Sequence, residues 1–134
     1  RYRRFDPALL NEPTRVGFLR TLPRTSGSVS ADYEVGAWNL TGRLRHFGKW
    51  IYVANTTPTN PVYEDIGAET FVDLVGSYAF NERVRLTVGV ENLLDNYIQR
   101  AQLVTVRNNG RLYPGGAPYE NDGRHVFTRV GIHF

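Results

Sequence analysis

The chain has 134 residues, a formal net charge of +3 and no cysteine, which suits one ordinary domain and leaves out disulfide staples and thiolate metal sites. No run approaches the ~18 consecutive apolar residues of a membrane helix, so any crossing of a bilayer falls to strands. The 16 basic residues are spread along the chain, and those in strands fall on alternate positions instead of forming one basic stripe, which argues against nucleic acid as a partner.

The chain opens on Arg1, with no visible signal or transit peptide, and we expect a processed chain or a piece of a longer one. Residues 1–23 carry Pro7, Pro13 and Pro23 and read as an irregular segment. Strands are then predicted near 24–36, 38–50, 67–80, 83–97 and 124–134, each with strict alternation. In the first, Val29, Ala31, Tyr33 and Val35 oppose Ser28, Ser30, Asp32 and Glu34. In the second, Trp38, Leu40, Gly42, Leu44, His46, Gly48 and Trp50 oppose Asn39, Thr41, Arg43, Arg45, Phe47 and Lys49. The third sets Val72, Leu74, Gly76, Tyr78 and Phe80 against Phe71, Asp73, Val75, Ser77 and Ala79. The fourth sets Val84, Leu86, Val88 and Val90 against Arg83, Arg85, Thr87, Gly89 and Glu91. In the last, Val126, Thr128, Val130, Ile132 and Phe134 alternate with Phe127, Arg129, Gly131 and His133.

Asp32, Glu34, Arg43, Arg45, Lys49, Asp73, Arg83, Arg85, Glu91 and Arg129 all lie on the polar phase of their strands. Arg or Lys facing mid-bilayer lipid costs roughly 2–4 kcal/mol, so lipid would enforce that placement. A soluble sheet with one wet face would enforce it too. The connections add a second signal. Gly36-Ala37 and Asn81-Glu82 are tight turns, whereas 51–68 and 97–123 are long and rich in Pro, Gly, Asn and Thr. Short turns at one end and long loops at the other match a transmembrane barrel with periplasmic turns and extracellular loops. Residues 1–23 then become an extracellular loop as well.

Trp38 and Trp50 share one phase of the predicted 38–50 strand. At ~3.3 Å per residue and a tilt of about 45°, they would stand roughly 28 Å apart along the barrel axis, matching girdles around an apolar band about 25 Å tall. Tyr78, Phe80 and Phe134 would join the periplasmic girdle. Because the smallest lipid-facing barrels have about eight strands and an open edge in lipid leaves backbone groups unpaired, the strands here must belong to something larger. The expected fold is all-β: an antiparallel up-and-down transmembrane β-barrel fragment, about five strands of a larger plugged barrel of roughly 22 strands. The competing reading is a soluble β-barrel or sandwich binding module with its apolar faces turned inward.

Three groups of residues resemble the C-terminal part of the barrel of TonB-dependent outer-membrane receptors. Asp73-Leu74 with Tyr78-Ala79-Phe80 resembles one strand signature of that family. Gly89-Val90-Glu91-Asn92-Leu93-Leu94-Asp95-Asn96-Tyr97 resembles another, whose core is Asn92, Leu93, Leu94 and Asp95. Tyr113-Pro114-Gly115, Gly123-Arg124 and the Phe134-terminal strand resemble the closing loop and last strand, and Leu22-Pro23-Arg24 also fits. The resemblance implies uptake of a scarce ligand across the outer membrane of a Gram-negative bacterium, most often an iron–siderophore complex. It also implies the remaining barrel strands, an N-terminal plug, the TonB complex and outer-membrane lipid as partners. The barrel assembly machinery would read Phe134.

No catalytic constellation, cofactor motif or metal set stands out. His46, His125 and His133 have no partner at ligand spacing, and Gly115-Gly116 lacks the Lys-Ser/Thr of a phosphate loop. Ligand contact is expected from the long loops. Arg100, Arg107, Arg111, Tyr113 and Tyr119 are the candidates, because Arg binds anionic chelates and Tyr supplies stacking and hydrogen bonds.

Overall fold

The computed structural model describes residues 11–55, 60–101 and 112–134. In chain order they form α1 (Glu12–Arg20), β1 (Ser26–Val35), β2 (Trp38–Phe47), β3 (Trp50–Asn55), β4 (Val62–Ile66), β5 (Glu69–Ala79), β6 (Val84–Glu91) and β7 (His125–Ile132). They divide into two compact units, one drawn from 26–47, 69–97 and 121–134 and the other from 1–25, 48–68 and 98–120.

The first unit is a five-stranded antiparallel sheet in the order β1-β2-β5-β6-β7. A strand lies within each of the five stretches of alternation, and all five are shorter than the alternation suggests. β1 and β2 join through Gly36-Ala37, where Gly36 takes φ +56°; a hairpin turn of this kind favours glycine at positive φ. β5 and β6 join through a turn held by the Asn81 side chain, whose Oδ1 accepts the backbone N–H groups of Arg83 and Val84 at 2.9 Å each. The outer edges of β1 and β7 are unpaired among the described residues, as expected of a slice cut from a closed barrel.

The apolar face of this sheet is uncovered, unlike that of a soluble protein. Val29, Tyr33, Trp38, Leu44, Val88, Val126 and Val130 are all exposed, whereas Phe71 and Asp73 on the charged face are buried. A water-soluble sheet covers its Val and Leu face and wets its charges. The inward-turned apolar faces of a soluble module are therefore not what forms. A continuous bare apolar face of this extent marks contact with a partner or a membrane.

The second unit contains a helix and a hairpin within segments whose Pro, Gly, Asn and Thr content predicts loop. Asn11 caps α1, its Oδ1 accepting the Thr14 N–H at 3.0 Å, with Pro13 in the first turn and Arg20 in the last; each placement suits a helix end. β3 and β4 pair as a hairpin inside the segment read as loop, with a bulge between Val53 and Asn55. The core of the unit is Trp50, Ile66, Ile98, Ala101, Pro114 and Tyr119.

β2 stops at Phe47 and Trp50 opens β3, so the two tryptophans do not end the same strand. Trp50 is 3% exposed and donates its indole N–H to the Tyr119 hydroxyl at 3.1 Å. It is a core residue of the second unit rather than one of a lipid-facing girdle. The break comes at Gly48, whose N–H donates to the Thr25 carbonyl at 2.8 Å. A Cβ at Gly48 would crowd the Thr25 hydroxyl and press on the Thr25 carbonyl at 3.0 Å, so glycine suits the departure from the β2 line.

Candidate functional site

In the second unit a cavity of about 190 Å³ is lined by Arg20, Leu22, Arg24, Lys49, Trp50, Ile51 and Asp65. Its positive side is built from three places: the last turn of α1, the residues before β1 and the residue before β3. Three cations meet one carboxylate there, and Leu22, Trp50 and Ile51 supply apolar wall. Such a site attracts an anion with an apolar or aromatic body and repels a bare metal cation. The Trp50–Tyr119 hydrogen bond fixes the indole edge, and β3 pairs Trp50 with Ile66 of β4, so the wall is rigidly mounted. Nearby on β4, burial and secondarily the Glu12 carboxylate push the Tyr63 phenol above its ordinary pKa, so it stays protonated.

The loop residues expected from sequence do not line this cavity. Arg100 is exposed, Tyr113 is half-buried and Tyr119 is buried behind Trp50. Arg107 and Arg111 lie outside the described residues. Of the true lining, Arg24 was singled out only within Leu22-Pro23-Arg24, and Lys49 was assigned to the polar phase of an overlong strand. Arg20 was missed because its stretch, with three prolines nearby, read as irregular.

In the sheet unit, the Asn92–Asp95 motif forms a second cluster. The buried Asp73 carboxylate accepts two hydrogen bonds from Arg45, at 2.8 and 2.9 Å, and one from the Asn92 N–H at 3.0 Å. Arg43 adds an ion pair at 3.5 Å. Asn92 then exchanges hydrogen bonds with the Asn96 backbone in both directions, at 2.7 and 2.9 Å. Asn96 Nδ2 donates to the Thr70 carbonyl at 2.8 Å, and Asp95 Oδ1 accepts the Arg124 N–H at 2.8 Å. Asn92 and Asp95 take φ of +52° and +57°, which Asn and Asp tolerate better than other side chains. The motif thus fastens the end of β6 to β5 and to the segment entering β7. Its chemistry is structural; Leu93 joins by its N–H to the Val72 carbonyl at 2.7 Å, while Leu94 is exposed.

Comparison with protein families decides the assignment: residues 2–93 match the family described as TonB dependent receptor-like, beta-barrel. The chain belongs to this family. Two solved structures share the fold. One is a mutant of the ferric enterobactin receptor PfeA from Pseudomonas aeruginosa, with a TM-score of 0.63 and 22% identity over 84% of this chain. The other is the copper transporter OprC, with a TM-score of 0.55 and 20% identity over 86% of this chain. The chain spans only 16% and 18% of those two proteins. A comparison with curated proteins finds no match. TonB-dependent receptors are outer-membrane β-barrels of Gram-negative bacteria, which places this chain in that membrane, and the family is one of receptors and transporters rather than enzymes.

Proposed function

We propose that this chain supplies closing strands and outer loops of a transporter that takes up an anionic metal chelate, an iron–siderophore complex, with energy from the TonB complex. The observation that carries the ligand class is the cavity with Arg20, Arg24 and Lys49 around Trp50. Membership of the receptor family supports the transport reading. On this reading, the bare face of Val29, Trp38, Leu44, Val88 and Val130 meets lipid, and the charged face looks into the barrel. Trp38 packs at a tilt against Tyr78, 4.7 Å between ring centroids, and Tyr78 meets Phe80 edge to face at 4.9 Å, a cluster suited to the periplasmic girdle, with Phe134 beyond β7. The second unit lies outside the cell, where Arg100 and Tyr113 contribute loop surface.

The test is complementation. A receptor-deficient Gram-negative strain carrying the full-length receptor is grown under iron limitation on single ferric siderophores, with cupric ion and cobalamin uptake as comparisons. Growth on a ferric chelate supports the reading. Uptake of copper or cobalamin alone, with no chelate supporting growth, overturns the ligand class.

A further inference from the structure

The cavity beside Trp50 carries charges of both signs, and they do not pair. Arg20, Arg24 and Lys49 line it together with the Asp65 carboxylate, yet none of these four side chains forms an ion pair among the described residues. The sheet unit shows the contrast: there Arg43 and Arg45 both close on Asp73, at 3.5 and 2.8 Å. Around the cavity the charges stand on separate mounts. Arg20 ends α1, Arg24 precedes β1, Lys49 precedes β3 and Asp65 lies on β4. The β3–β4 register sets Asp65 opposite Ile51. Gln99 fastens that part of β4, donating from Nε2 to the Asp65 carbonyl at 3.1 Å and accepting the Gly67 N–H at 3.3 Å. The carboxylate is therefore carried to the cavity on a fixed stretch of backbone, with its own hydrogen-bonding capacity unused.

Size limits what enters. The cavity measures about 190 Å³, the volume of about six waters, whereas a pocket that encloses a drug-sized ligand runs to ~300–1,000 Å³. A whole chelate does not fit; one arm of it does. Charge then sets what the arm carries. An arm that is anionic alone gains from the three cations but meets the Asp65 carboxylate as a like charge, which disfavours it. An ammonium on the same arm turns that repulsion into a charge-assisted hydrogen bond.

We propose that the cavity binds one zwitterionic, amino-acid-like arm of the chelate. Its carboxylate lies on Arg20, Arg24 and Lys49, its ammonium on Asp65 and its apolar side chain against Trp50 and Ile51. The inference deepens the uptake reading above and rests on it for the chelate as a whole. Asp65 becomes the residue that sets specificity, because it discriminates against arms with a carboxylate and no ammonium.

The experiment uses the full-length receptor in detergent and three probes of similar apolar skeleton: L-leucine with both charges, isocaproate with the carboxylate alone and isoamylamine with the ammonium alone. Tryptophan fluorescence follows binding. The wild-type receptor is expected to bind L-leucine about tenfold more tightly than either singly charged probe, the effect of one charge-assisted hydrogen bond. Asp65→Asn keeps the shape of the side chain and should abolish the preference over isocaproate while leaving the preference over isoamylamine. Equal wild-type affinities for L-leucine and isocaproate overturn the proposal, and this comparison needs no variant. An Asp65→Asn receptor that keeps the wild-type preference, or a wild-type receptor that binds none of the probes, overturns it as well. Failure of the uptake reading shows separately, as no growth on any ferric chelate, and leaves the order of the probe affinities untouched.

Discussion

Gly89 and Phe127 face each other across the β6–β7 pair, and the ring of Phe127 lies directly over the glycine. A Cβ at position 89 would fall 2.3 Å from Phe127 Cζ. The ring is held on its other sides by His125, stacked at 6.3 Å, and by the Arg129 guanidinium. Glycine is weak in a strand, and here the aromatic fills the space that it leaves. Gly89→Ala should push the ring off its seat and cost about 1 kcal/mol, the low end for overpacking because the ring tip can swing away. Phe127→Leu in the Gly89→Ala background should recover part of that loss. Urea midpoints of the refolded barrel measure both, and an unchanged midpoint for Gly89→Ala would show that the ring does not hold the pair.

Asp73 anchors the largest polar cluster of the sheet. Asp73→Asn keeps the shape but leaves Arg45 and Arg43 without their charge partner. Removing one member of a fully buried pair costs ~3–5 kcal/mol; with the Arg45 side chain 29% exposed, about 2–3 kcal/mol is expected. Asp32→Asn is the control, since Asp32 is exposed and accepts one hydrogen bond, from Thr41 at 2.5 Å; its cost should stay below about 1 kcal/mol. Equal midpoint shifts for the two variants would remove Asp73 from its anchoring role.

The strands were legible because alternation carries a physical penalty for error: one residue of slip moves every Val and Leu to the other face. Thus β1, β5, β6 and β7 appear where Val29, Leu74, Val88 and Val130 fall in phase. The same rule misled at Gly48. The apolar phase runs on to Trp50, and alternation cannot see that a backbone N–H there goes to Thr25. The cavity was illegible for a related reason. Arg20, Arg24 and Lys49 are brought together by tertiary packing of α1 and the β3–β4 hairpin, and no spacing in the chain marks that meeting. The Asn92–Asp95 motif lay between these extremes. Its residues stood out at once, but their work as a fastener of β5, β6 and β7 depends on hydrogen bonds to Asp73, Thr70 and Arg124.

A charge scan separates the two faces. Leu44→Arg and Val88→Arg each put a guanidinium on the bare apolar face, at roughly 2–4 kcal/mol in mid-bilayer lipid. Both should block assembly into the outer membrane, read as loss of heat-modifiable barrel. Thr41→Arg lies on the opposite phase beside Asp32 and should assemble normally. Equal tolerance at the three positions would defeat the assignment of the apolar face to lipid.

The cavity in the second unit predicts a ligand effect separable from assembly. Arg20 and Lys49 are exposed at its rim, so Arg20→Ala and Lys49→Ala should leave the barrel intact. Each removes a charge-assisted contact worth about 1–1.5 kcal/mol at such a site, roughly tenfold in Kd. Surface charges are screened by salt, so wild-type affinity for an anionic ferric chelate should fall between low and high ionic strength, and the Arg20→Ala, Lys49→Ala double variant should fall less steeply. Fluorescence titration of the full-length receptor supplies the measurement, with the buried Trp50 as a reporter at the cavity wall. A double variant that binds the chelate with wild-type affinity and wild-type salt slope would move the ligand site away from this cavity, toward the other loops.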